Sequence, residues 1–116
     1  MNKLNKGRKL SRKRNQRRAL LKIMASNLIL KEKIKTTRAK AKELASFVEK
    51  SITTAKKNDF NAARRLRKLF TDRVVGKLMK DIGPRYQQRP GGYTRILRLG
   101  TRIHDASPMV IIEFVK

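Results

Sequence analysis

The sequence has no cysteine and a single histidine, His104. The first absence excludes a disulfide framework and a thiolate metal site. The second leaves metal clusters and histidine-based triads little to build on. Acids are also scarce, with 8 Asp and Glu against 32 Lys and Arg, a formal charge of +24. No apolar run approaches the roughly 18 residues of a membrane span. The basic start leads into Ala19-Leu20-Leu21-Lys22-Ile23-Met24, where Lys22 interrupts the stretch that a signal peptide needs unbroken. These absences lead us to expect a soluble, cytoplasmic protein.

What is present points to a polyanionic partner. A chain of 116 residues is one domain, and a hydrophobic fraction of 39% suffices for a modest core. Self-repulsion at +24 opposes compaction unless dense negative charge neutralises it. Nucleic acid is the first candidate and an anionic membrane surface the second. Basic amphipathic helices bind membranes through a wide apolar face, but here the apolar faces match one another and are better used as one core, so no membrane partner is expected.

The charge is uneven. Residues 1–18 hold nine cations (Lys3, Lys6, Arg8, Lys9, Arg12, Lys13, Arg14, Arg17 and Arg18) and no acid. Such a segment cannot bury enough surface to offset its ordering entropy. We expect a partly extended arm that orders on RNA and runs, from about Ser11, into a first helix. Residues 19–116 then form a single α+β domain.

Leu20, Leu21, Met24 and Leu28 recur at helical spacing up to Leu30 or Lys31. Lys33-Ile34-Lys35-Thr36 alternates like a short strand, and the Thr37 hydroxyl can cap a second helix. That helix carries Ala41, Leu44, Val48, Ile52 and Ala55 on one face. Asn58-Asp59 caps a third, with Phe60, Ala63, Leu66 and Phe70 as its apolar side. Thr71-Asp72 opens a fourth, with Val75, Leu78, Met79 and Ile82 inward and Gly83-Pro84 as its stop signal. Arg85 to Gly92 reads as a loop, and Tyr93–Leu99 and Met109–Val115 as the strands of a C-terminal β-hairpin with a long tip. The expected fold is α+β: four helices packed on a small mixed sheet formed by the Ile34 strand and the hairpin.

Two segments can carry chemistry. In the arm, each Lys or Arg displaces condensed counterions from RNA phosphates. In Gly83–Arg95, Tyr86 and Tyr93 stand among Arg85, Arg89 and Arg95, with no acid in the stretch to pair with those guanidiniums. Tyrosine rings stack on exposed bases, and arginine forks onto phosphate; Tyr93 fits strand core equally well. Gly91-Gly92 lacks the Gly-Lys-Ser/Thr ending of a phosphate loop and precedes a strand. His104, Asp105 and Ser107 are too close in sequence for a nucleophile–base–orienter geometry, and Asp72 and Asp81 suit ion pairs. No catalytic residue, metal ligand, cofactor or small-molecule substrate is expected.

Longer stretches are specific. Gly7-Arg8-Lys9-Leu10, Ile34-Lys35-Thr36-Thr37, Lys40-Ala41-Lys42-Glu43-Leu44, Gly83-Pro84-Arg85-Tyr86, Gly91-Gly92-Tyr93-Thr94-Arg95-Ile96-Leu97 and Pro108-Met109 follow in this order. Along its whole length the chain resembles the bacterial-type large-subunit ribosomal protein number seventeen. The resemblance implies a structural, non-enzymatic protein of the large ribosomal subunit, placed near the polypeptide exit tunnel. Its implied partners are large-subunit rRNA and neighbouring ribosomal proteins. The family carries a glycine where His104 stands, which suggests a positive φ there. Besides the arm and the residues of Gly83–Arg95 above, the candidate RNA-binding set includes Lys35, Arg38, Arg64, Arg65, Arg98 and Arg102. A free-standing architectural or RNA-chaperone factor is the alternative.

Overall fold

The clearest amphipathic stripe in the sequence becomes the centre of the fold. In the computed structural model, which describes residues 14–116, Ala41, Leu44, Val48, Ile52 and Ala55 of helix α2 (Arg38–Lys56) are completely buried. Recurrence every three or four residues places them on one face at 3.6 residues per turn. Helix α1 (Arg14–Lys31) lies against α2 and adds Ala25, Leu28 and Ile29 to the same core. Because α1 begins at Arg14, the end of the basic segment is helical; the rest of the expected arm lies outside the described residues.

Strands β1 (Lys33–Thr37), β2 (Thr94–Thr101) and β3 (Pro108–Phe114) form a sheet in the order β1-β3-β2. Ile112 of the central strand faces Ile34 on one side and Ile96 on the other. Alternation then sets Val110, Ile112 and Phe114, all buried, on the face that carries α2. The α+β class and the hairpin are as expected, but the sheet is antiparallel throughout and not mixed. β1 and β2 do run in the same direction, joined by a helical crossover. Since β3 inserts between them, every hydrogen-bonded pair is antiparallel.

The hairpin tip is closed by its own backbone. The Arg102 amide donates to the Ser107 carbonyl (2.8 Å) and the Ala106 amide to the Arg102 carbonyl (2.9 Å). The positive φ of this turn falls on Ala106 (57°) and not on His104, so the histidine carries no left-handed backbone strain.

Three readings of the helices need correction. Thr37 stands at the N-cap of α2 in an extended conformation, but its side chain makes no cap hydrogen bond. It is also the last residue of β1, opposite Met109, and the strand's alternation sets its orientation. Helix α3 (Phe60–Arg67) is capped as expected, Asp59 accepting from the Ala62 amide at 2.7 Å. Its buried side, however, is Ala62 and Leu66, with Ala63 half-buried and Phe60 exposed. At about 100° per residue, Ala62 lies roughly 40° from Leu66 around the axis and Phe60 roughly 120°.

The fourth helix, α4, does not stop at Gly83-Pro84. It is α-helical over Asp72–Lys77, π-helical over Leu78–Ile82 and α-helical again over Gly83–Arg85. Val74 joins Val75, Leu78 and Ile82 as a buried residue, while Met79 is half-buried. The Gly83 amide donates to the carbonyl of Leu78, five residues back. This wider turn accommodates Pro84, which has no N–H to give and whose ring would crowd a normal turn. Glycine is needed at 83: a Cβ would stand 2.9 Å from the Leu78 oxygen and 3.2 Å from that of Ala55, where α4 crosses α2.

Candidate nucleic-acid interface

The acids are committed inside the fold. Glu32 meets Arg85 at 2.6 Å and Lys77 at 3.1 Å, and Asp81 meets Arg85 at 3.1 Å. Asp105 pairs with Arg102 (2.6 Å), Glu113 with Arg95 (3.2 Å) and Asp72 with Arg67 (3.9 Å). Glu49 accepts from the Thr94 hydroxyl at 2.8 Å, and Asp59 caps α3. What remains is a surface on which most cations face solvent.

Among the sequence candidates, the structure brings Lys35, Arg38, Arg98 and Arg102 to one end of the sheet. Arg98 and Thr36 both lie opposite Val110, so Arg98 is on the face that carries α2, whose first residue is Arg38. Arg38 and Arg98 line a cleft of about 180 Å³ with Gly100, Thr101 and Met109. Those last three residues also line a neighbouring cleft of about 330 Å³ that includes Lys35 and Arg102. The first turn of α2 has no acid and no side-chain cap. Free amide donors at a helix N-terminus attract anions, and the surrounding cations reinforce the field. Arg38 and Arg98 have no acidic partner among the described residues; Arg102 is held by Asp105.

Elsewhere, Arg14 and Arg18 are exposed on α1 and Arg17 is half-buried. Arg64 and Arg65 are exposed on α3, with no acidic partner among the described residues. Arg89 donates to the Gly92 carbonyl at 3.0 Å and remains exposed. Lys3, Lys6, Arg8, Lys9, Arg12 and Lys13 lie outside the described residues.

Arg85, Tyr86 and Tyr93 are placed differently from expectation. Arg85 has no acid within Gly83–Arg95, yet Asp81, four residues upstream, pairs with it, and the fold adds Glu32 from the α1–β1 junction, 53 residues upstream. Glu32 itself has φ 69°, and its amide donates to Leu28 at 2.6 Å, closing α1. Tyr86 and Tyr93 are 3% and 1% exposed, so neither offers a ring to a base. Their centroids are 5.3 Å apart, and Tyr86 lies 6.4 Å from Phe114. Buried phenols need partners. Tyr86 donates to the Val115 carbonyl, and Tyr93 accepts from Lys56 at 3.0 Å. The aromatic that does face solvent is Phe60, 71% exposed, which periodicity with Leu66 and Phe70 had assigned to the core.

The Glu32 cluster has a measurable pH signature. The hydrogen bond from Arg85, with help from Lys77, holds the Glu32 carboxyl down to about 2 from an ordinary 4.5, against a smaller opposing effect of burial. A carboxyl lowered in the folded state stabilises the fold above its unfolded value, and that contribution is lost as pH falls from about 4.5 towards 2. We expect Glu32→Gln to flatten the acid limb of stability against pH in this window, measured by urea unfolding at successive pH values. An unchanged limb would mean that the cluster contributes nothing in solution.

No group of three or more His, Cys, Asp or Glu among the described residues could hold a metal ion. Among the same residues, no helix is long and apolar enough to cross a membrane.

Comparison with known proteins accounts for almost all of the chain. A family model described as "Ribosomal protein L17" matches residues 20–115. The large ribosomal subunit protein bL17 of Syntrophotalea carbinolica is 50% identical over 111 residues, which cover 95% of this chain and 72% of the relative. The protein of the same name from Natranaerobius thermophilus is 48% identical over 110 residues, covering 94% of this chain and 97% of the relative. The matched region runs from within α1 to the end of β3, including the cationic end of the sheet, and the chain belongs to the ribosomal protein L17 family.

Proposed function

We propose that this protein binds large-subunit rRNA and stabilises its folded form by neutralising charge and matching shape, near the polypeptide exit tunnel and in contact with neighbouring ribosomal proteins. As a member of its family it is a structural protein of the large ribosomal subunit, and so it works in the ribosome, in the cytoplasm. The observation that carries the RNA reading is the cleft that Arg38 and Arg98 line at the acid-free first turn of α2, with Lys35 lining the neighbouring cleft. Of the acids, by contrast, Glu32, Asp72, Asp81, Asp105 and Glu113 are held in internal ion pairs. Cations in this arrangement meet phosphate oxygens and fix position without reading sequence. The basic arm adds contacts of the same kind along folded RNA, and the position near the tunnel rests on the family resemblance.

The test is sedimentation of cell lysate through sucrose at moderate salt. The protein is expected to follow the large subunit almost stoichiometrically. A spread through the light fractions would point instead to a free-standing nucleic-acid-binding factor.

A further inference from the structure

We propose that Phe60 and Arg64, on the outward face of α3, form a stacking site for an unpaired base of RNA. The inference rests on the RNA-binding reading and goes beyond it, since phosphate neutralisation by itself requires no aromatic. Every other aromatic ring of the chain is at least partly enclosed: Phe70, Tyr86, Tyr93 and Phe114 are buried, and Phe47 is half-buried edge-on to Phe70. Phe60 is 71% exposed. It opens the most arginine-dense helix of the fold, Phe60–Arg67, where Arg64, Arg65 and Arg67 follow within two turns.

The spacing makes a site out of these residues. Positions four apart are neighbours on a helix surface, and the Arg64 guanidinium carbon lies 6.0 Å from the Phe60 ring centroid. The one acid at this end, Asp59, is turned to the Ala62 amide. A planar apolar face bordered by unpaired guanidiniums suits a nucleotide, which brings a π-face and a phosphate together. The base must be free of a duplex, because a paired base has both faces covered. A protein ligand would have to set acids against Arg64 and Arg65 while covering Phe60; RNA supplies the negative charge with every nucleotide.

The chain has no tryptophan, so Phe60→Trp in the full-length protein reports on this position alone. Titration with a short oligoadenylate is expected to quench its emission, while inorganic polyphosphate of matched charge leaves it nearly unchanged. Equal responses to the two probes, or none to oligoadenylate, would overturn the proposal. In a second measurement, Phe60→Leu should weaken binding to an rRNA fragment roughly five- to 150-fold at constant salt slope, and Phe60→Tyr should bind like the parent. If Phe60→Leu binds as tightly as the parent while loss of Arg38 and Arg98 still weakens binding, the stacking site fails and the RNA-binding reading stands. A photoreactive group at position 60 in assembled subunits should crosslink to rRNA; an adduct with a neighbouring protein alone would also sink the idea.

Discussion

Replacing Val48 with Asp is expected to abolish cooperative folding and entry into ribosomal subunits. Val48 has no exposed surface, and it sits midway along α2 on the stripe that meets β3. It belongs to the buried hydrophobic cluster of the core. A carboxylate placed there must remain charged without a partner or take up a proton, and either costs several kcal/mol. Domains of this size are stable by only about 5–15 kcal/mol in total, so one such cost removes much or all of the margin. The measurement pairs a urea unfolding curve with co-sedimentation of the variant with the large subunit. Val48→Ala, which leaves a small cavity and no charge, should shift the midpoint while preserving the transition. A Val48→Asp chain that unfolds and sediments like the parent would show that this face of α2 points outward in solution.

The second large effect concerns salt. Exchanging Lys35, Arg38, Arg65 and Arg98 together for Ala should lower the slope of log affinity against log salt by roughly three units, at ~0.7–0.9 per phosphate contact. All four are exposed, and none has an acidic partner among the described residues. Because the slope counts released counterions, the loss should not depend on the base sequence of the rRNA fragment. Arg102 supplies the control. Asp105 holds its guanidinium at 2.6 Å, so Arg102→Ala frees a carboxylate as it removes a cation and should affect the hairpin turn more than the slope. Binding across a salt series is the assay. An unaltered slope in the quadruple variant would remove the cationic end of the sheet and α3 from the RNA contact.

How much could be read from residues alone depended on range. The α2 stripe was legible because burial of a helix face is written every three or four positions, and all five stripe residues are buried. β1 and the hairpin were legible from alternation, and Asp59 from its local capping chemistry. Pairing over long distances was not. Arg85 looked free because Gly83–Arg95 holds no acid; Asp81, one helical turn upstream, was within local reach, but Glu32 meets Arg85 only once α1 has packed beside α4. Tyr86 and Tyr93 looked like stacking rings because they stand among arginines in a polar stretch. Their rings pack against each other, with Tyr86 also beside Phe114, contacts that no local pattern announces. Phe60 erred in the other direction. Its apolar character suggested core, although its angular distance from Leu66 could have flagged it as outward. The π turn of α4 followed the same logic: Gly83-Pro84 is an ordinary stop signal unless a neighbouring helix, here α2 at Ala55, requires the close approach that glycine permits.

The strand order β1-β3-β2 carries a consequence for the protein before it meets its partner. Among the described residues only β3 is hydrogen-bonded to strands on both sides, so within them each outer strand keeps one row of backbone donors and acceptors to which a second copy could add. Such edges seed aggregation unless something opposes the addition. Here β1 carries Lys33 and Lys35, and β2 carries Arg95 and Arg98, all exposed. Two copies meeting edge to edge would set like charges across the new seam, which disfavours pairing. Lys35, Arg95 and Arg98, proposed above to meet rRNA, would then also oppose edge-to-edge pairing of chains until an RNA polyanion replaces solvent as their counterion.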